Sequence, residues 1–172
     1  EVFRAVDRFE SDVRGVVLIP GSGEFAYAPT PVTRRTGNIT STSENSHTRQ
    51  AISDWAASLD DLQAKLPNAK SVSLVVSWFG DDLRSEHCRL KPLVVRNDKM
   101  TEPIVWSVAG LTRDGATAVS THDGRPAYGG TPSDQTVVAA IKDLRQRGLS
   151  VVFSPFVLMD IPAGNTKPDP YS

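Results

Sequence analysis

The stretch "GGTPSDQTVVAAIKDLRQRGLSVVFSPFVLMD", residues 129–160, writes a helix and the strand that follows it. Thr131 is read as the N-cap, with Pro132 at the first helical position and Asp134 at the third, where an acid favours the helix dipole. Val137, Val138, Ile141 and Leu144 recur at the helical period and form the expected buried stripe. Gly148 supplies the stop, and Leu149 is placed to fold back onto the helix. "SVVFSPFVLMD" is uncharged up to Asp160 and rich in β-branched and aromatic residues, which predicts a strand buried on both faces. A helix feeding such a strand is the second half of a βαβ unit, so the sheet is expected to be parallel.

Two further strands extend this pattern. "DVRGVVLIPGSGE", residues 12–24, is a continuous apolar run closed by Pro20 and two glycines, and predicts a first buried strand. "SLDDLQAKLPNAKS" predicts a short amphipathic helix, with Ser58 as N-cap, Asp61 completing an approximate capping box, Leu59, Leu62 and Leu66 on one face, and Pro67 as the stop. "SVSLVVSWFGDDL" starts at Ser71 as a second buried strand that ends at Gly80. The helix between them makes the first two strands parallel neighbours. Residues 25–52 have no apolar period and read as a long exposed loop, residues 84–121 as an irregular insertion, and the closing "IPAGNTKPDPYS" as a proline-rich loop. The order is strand, helix, strand, insertion, helix, strand.

Composition narrows the function. At 172 residues the chain is one domain in size, and a formal net charge of −1 provides no basic field for nucleic acid. Cys88 is the only cysteine, which excludes an intrachain disulfide and a cysteine-rich zinc site. His47, His87 and His122 sit apart without metal-ligand spacing, so no metal and no cofactor is expected. The apolar runs are too short for a membrane span, and the charged start "EVFRAVDRFESD" does not fit a signal peptide. The sequence begins at Glu1 without an initiator methionine and is expected to be a piece of a longer polypeptide. Gly129 and Gly130 invite a phosphate-cradle reading, but no Lys-Ser or Lys-Thr follows and no strand-GxGxxG-helix context exists. Asp134 would repel an anion there, so the capping reading is preferred.

Each predicted strand is followed by acids: Glu24, then Asp81 and Asp82, then Asp160. In parallel α/β folds sites are built at the carboxyl ends of the strands, so these acids share the plausible face. A pair among Glu24, Asp82 and Asp160 could serve as acid and nucleophile in glycoside chemistry; the alternative is that they anchor loops and cap helices. Trp78 and Tyr128, with Asp81, are the candidate ligand contacts, and Trp106 and Phe156 could add sugar-stacking surface, against the alternative that aromatics near strands pack the core.

The segments "VVLIPGSGEF", "SVSLVVSWFGDDLR", "VSTHDGRPAYGGTPSD" and "AIKDLRQRGLSVVFSPFVLMDIPAGN" resemble the glycoside-hydrolase TIM-barrel-like domain of the large tail proteins of gene transfer agents and related siphophages, the host specificity or baseplate hub proteins. The resemblance runs over residues 13–171. It implies an α/β fold that is part of a (β/α)8 barrel with parallel strands and an irregular insertion, residues 1–172 being the N-terminal part of such a domain in a longer tail protein. It further implies a virion component at the tail tip, trimeric around the tail axis, with other baseplate proteins as partners and a bacterial surface glycan as a candidate contact. Barrel glycosidases carry their acids after the fourth and seventh strands, so no complete catalytic pair is assigned and the expectation leans away from an enzyme. The alternative is a glycoside hydrolase that opens the envelope during delivery; a cytoplasmic enzyme using the glycine turn for a phosphorylated ligand is a third class.

Overall fold

Three parallel strands, β1 (Gly15–Leu18), β2 (Ser71–Gly80) and β3 (Ser150–Met159), lie side by side in chain order with β2 in the middle. They belong to a computed structural model that describes residues 9–19, 23–36 and 40–167. The parts of the sequence reading that fall on residues 1–8, with most of the charged start, and on residues 20–22, 37–39 and 168–172 lie outside the described residues. The fold is therefore mixed α/β with a parallel core sheet, and β1 and β3 are not paired to each other, so among the described residues the sheet does not close.

Alternation along β2 sorts its side chains between two faces. Val72, Leu74 and Val76 point into a core shared with Trp55 and Leu59 of helix α1 (Asp54–Lys65) and with Val137, Ala140 and Leu144 of helix α2 (Asp134–Gln146). Each such side chain, fully removed from water, contributes about 1.5–3 kcal/mol. The helices are tied together as well: Trp55 Nε1 donates to Asp143 Oδ2 at 2.8 Å, and Arg147 pairs with Asp60 at 2.7 Å.

Neither helix covers the opposite face, where β2 presents Ser71, Ser73, Val75 and Ser77 between the flanking strands. There Val17 and Ile19 are 61% and 74% exposed, and Val152 and Phe156 are 59% and 52% exposed. The expectation of strands buried on both faces is thus corrected for β1 and β3. Their composition calls for a second covering layer, which the described residues do not supply. β1 also stops at Leu18, with Ile19 already outside it.

The outer edge of β3, which no described strand pairs, has a particular hydrogen-bonding pattern. Ser150 N donates to Lys70 O and Asp160 N to Gly80 O, so the even-numbered amides face β2 and the odd-numbered ones face outward. Pro155, which lacks an N–H, occupies an outward position, where a sheet tolerates proline.

Both helices begin at caps other than those expected. α1 is capped by Ser53, whose Oγ accepts from Ala56 N at 3.2 Å, one turn before Ser58; Ser58 instead donates back to Asp54 O. The earlier start brings Trp55 onto the buried stripe. α2 is capped by Ser133, not Thr131, which makes Asp134 its first residue. Thr131 is fully buried and bonded elsewhere: its N–H donates to Leu93 O at 2.8 Å and its Oγ1 accepts from Leu93 N at 3.2 Å. Val138 is 50% exposed and falls off the stripe, where Ala140 takes its place. At the far end Leu149 N donates to Leu144 O and both side chains join the core, the hydrophobic Schellman stop that Gly148 implies.

The stretch read as a long exposed loop is also corrected. Phe25, Tyr27, Ala28 and Val32 are buried, and strands Thr33–Thr36 and Thr40–Ser43 form an antiparallel sheet with Met100–Glu102. Asn45 acts as a backbone substitute here: Oδ1 accepts from Val32 N, and Nδ2 donates to Ala28 O and Thr30 O. A second core follows from this folding, uniting Phe25 and Val32 with Val94, Trp106 and Val108 of the insertion. All of this irregular structure follows the carboxyl ends of strands.

Two glycines test how these junctions are built. Gly148 and Gly130 both have positive φ, +81° and +78°, but a Cβ at Gly148 meets nothing within 4 Å, whereas one at Gly130 would lie 3.0 Å from Glu24 Cγ and 3.1 Å from Leu93 O. Urea denaturation is expected to show a loss of about 1 kcal/mol for Gly148→Ala and about 3 kcal/mol for Gly130→Ala, where overpacking adds to the left-handed backbone cost. Equal losses would contradict the packing described for Gly130.

Candidate functional site

Glu24 follows β1 and is fully buried. Its carboxylate accepts from both terminal nitrogens of Arg113, at 2.9 and 2.7 Å, from Val95 N at 2.8 Å, and pairs with Lys99 Nζ at 3.0 Å. Lys99 also pairs with Glu44 at 2.8 Å, and its side chain is 5% exposed. Arg113 lies over the Trp106 ring, 5.7 Å from its centroid. Glu24 O accepts from Ser133 N, so the same residue touches the start of α2. Nothing in the local sequence marks Arg113 or Lys99 as partners of Glu24; Arg113 stands 89 residues away in the chain.

The other predicted acids gather at the ends of β2 and β3. Met159 pairs with Gly80 and Asp160 N donates to Gly80 O at 3.0 Å, which sets Asp160 beside the Asp81–Asp82 turn. Asp82 is almost fully buried and accepts from Arg84 N at 2.9 Å, Arg84 Nε at 3.0 Å and an Arg84 terminal nitrogen at 2.8 Å, with Lys167 Nζ at 3.4 Å. The side-chain hydrogen bonds from Arg84 hold the Asp82 carboxyl far below the ordinary carboxylate range. Asp81 accepts from Arg89 N at 2.8 Å, and that bond lowers its pKa as well. Asp160 accepts from Ser120 N at 3.0 Å and Ser120 Oγ at 2.6 Å.

The two candidate aromatics are separated by the sheet. Trp78 shares the helix-facing parity of Val72 and Val76 and packs, partly buried, between the two main cores. Tyr128 lies on the other side, its hydroxyl donating to Met159 O at 2.9 Å and its ring 5.5 Å from that of Phe79. It borders two cavities. One, of about 270 Å3, lies on the uncovered sheet face at the carboxyl ends of the strands, against Val75, Ser77, Phe79, Phe156 and the Gly129-Gly130 backbone. The other, of about 420 Å3, lies between the exposed hairpin of Thr121–His122 and Arg125–Pro126 and the chain after β3, and includes Met159 and Ile161.

A third cavity, of about 320 Å3, lies beside the N-terminus of α1, lined in part by His47, Asp54 and Ser58. Asp54 Oδ2 lies 2.6 Å from His47 Nδ1, while Oδ1 accepts from the backbone N–H of His47 at 2.8 Å. Sequence reasoning singled out neither Asp54 nor its pairing with His47.

Among the described residues no group of three His, Cys, Asp or Glu side chains is arranged to hold a metal ion, and no helix is long and apolar enough to cross a membrane. Neither a known protein family nor a curated protein matches the chain.

Removing the Glu24 carboxylate leaves Arg113 buried without its carboxylate partner and Lys99 with Glu44 alone. Glu24→Ala is expected to lower the unfolding free energy by about 3–5 kcal/mol in chemical denaturation, the cost of breaking a buried pair from one side. Asp82 gives a pH-dependent counterpart. Because its folded pKa is depressed, the stability it contributes is complete above its unfolded pKa of about 3.9 and is lost as pH falls toward the folded value. Asp82→Asn should therefore be less stable than the parent at pH 7, and melting curves should show the gap narrowing as pH falls below about 4. A gap independent of pH would remove the Asp82–Arg84 bond as its source.

Proposed function

We propose that this chain is a structural and host-recognition component of a phage or gene transfer agent tail baseplate, and that its parallel sheet is an arc of a (β/α)8 barrel. The observation that carries the reading is the one-sided sheet. Three parallel strands stand in chain order, α1 and α2 cover the same face, and the other face is apolar at its flanks and uncovered by any described residue. A barrel arc has this construction, because its helices lie outside and its inner face is completed by the remaining strands. The residues that carry the resemblance to tail hub domains include β2, β3 and the C-terminal half of α2. On this reading the chain sits at the tail tip of the virion, trimeric about the tail axis and in contact with other baseplate proteins.

A recognition role is favoured over hydrolysis by the condition of the candidate acids. Glu24 is closed off from solvent and its oxygens are filled by Arg113, Lys99 and Val95 N. Asp82 and Asp160 are each held by donors from neighbouring loops. A glycosidase needs one carboxyl group able to give a proton and a second poised about 5–9.5 Å away across an open groove.

Electron cryomicroscopy of intact particles carrying the protein tests the assignment: density for this fold is expected at the tail tip around the threefold axis, and its absence from the particle would overturn it. Incubation of the purified full-length protein with bacterial sacculi tests the chemistry. No glycan release is expected from the parent protein; release that is lost in Asp82→Asn or Asp160→Asn would establish the hydrolase instead.

A further inference from the structure

The two cavities beside Tyr128 share that residue and Ala127, so they lie next to each other on either side of them. Among the described residues no side chain of Asp, Glu, Lys or Arg lines either of them, and His122 is the only titratable group there apart from the Tyr128 hydroxyl. A phosphate or carboxylate ligand would enter without a counter-charge, and a cation likewise, which selects for a neutral ligand. The walls are not uniformly apolar. Ser77 lies in the sheet-face cavity and Thr121 in the other, and neither hydroxyl is bonded to another described residue. The amides of Gly129 and Gly130, whose atoms line the sheet-face cavity, also donate to no described residue. An apolar occupant would strip these groups of water without replacing it, which costs free energy for each group buried.

Tyr128 is fixed between the two spaces. Its hydroxyl is anchored on Met159 O and its ring packs against Phe79, so little ordering remains when a flat ligand lies on it. A rigid aromatic platform, free hydroxyls and amides on both sides, no charge, and an extent greater than one cavity fit a chain of pyranose rings. We propose that the two cavities form one groove for a neutral oligosaccharide, with the Tyr128 ring as its platform and Ser77 and Thr121 as polar contacts. The inference deepens the baseplate reading and rests on it for the biological origin of the sugar, which is the envelope of the recipient cell.

Isothermal titration of the full chain with maltotetraose, cellotetraose and tetra-N-acetylchitotetraose tests the groove directly. At least one of these neutral tetrasaccharides is expected to bind saturably with Kd below about 1 mM. Tyr128→Ala should weaken that binding by at least about tenfold, and Tyr128→Phe, which keeps the ring, by less than about threefold. Ala127→Trp guards against a folding artefact: Ala127 is exposed and borders both cavities, so the larger ring should block the groove while the melting temperature stays near the parent value. No saturable binding of any tetrasaccharide, or undiminished binding by folded Ala127→Trp, would overturn the groove. Displacement of a bound sugar by millimolar inorganic phosphate would overturn it too, because the glycine amides would then be an anion site. Absence of the protein from tail tips would sink the baseplate reading while leaving these titrations as they are, so the two failures are distinguishable.

Discussion

The buried carboxylate of Glu24 is the constraint on which the irregular structure at the carboxyl ends of the strands depends. It joins segments that would otherwise meet only through irregular backbone: the turn after β1, the insertion through Val95, Lys99 and Arg113, and the start of α2 through its own carbonyl. Charges taken out of water are expensive, and they persist only where geometry and hydrogen bonding compensate. Here two cations share one carboxylate, Lys99 reaches on to Glu44, and Arg113 lies over an aromatic ring. Such a network does little for net stability compared with a well-packed apolar cluster, but it admits few alternative arrangements. It explains why a segment with so little regular secondary structure can hold Gly130 and Thr131 in place.

That junction also accounts for the position of the helix start. Thr131, Ser133 and Asp134 are all good capping residues, and local chemistry alone does not choose among them. Tertiary structure chooses: Thr131 is bonded to Leu93 on both sides, and Trp106 donates to its carbonyl at 2.8 Å, so Ser133 is the first of the three free to cap. The Gly129-Gly130 turn is accordingly shaped by the close approach of Glu24 and of the backbone at Leu93 and Val95, rather than by the needs of the helix.

What was legible in the sequence follows from which interactions are local. The three strands, their parallel pairing, the existence of both helices and the Gly148 stop were readable, because periodicity, run length and end residues act over a few positions. The second core was not. Phe25, Ala28 and Val32 lie in a stretch of threonines, serines and prolines without a period, and their burial depends on partners such as Trp106 far along the chain. The acids at strand ends were located correctly in the chain, but their surroundings were not readable: Arg113 and Lys99 lie in a part of the sequence without pattern. The aromatics were split for a simpler reason. Trp78 follows the alternation of β2 onto the helix side, and Tyr128 sits in a turn whose direction only the insertion determines.

The uncovered sheet ends at β3, an uncharged ten-residue strand of the kind that elsewhere templates uncontrolled stacking of chains. Pro155 changes what that edge can accept. Its ring takes one outward donor from the middle of the row and leaves Val151 and Phe153 on one side and Val157 and Met159 on the other. A flat strand laid along the whole edge would leave one of its own carbonyls without a donor, whereas a neighbour that bends or skips at that point would not. The edge thus filters by shape, open to a matched companion and poorly suited to endless self-addition.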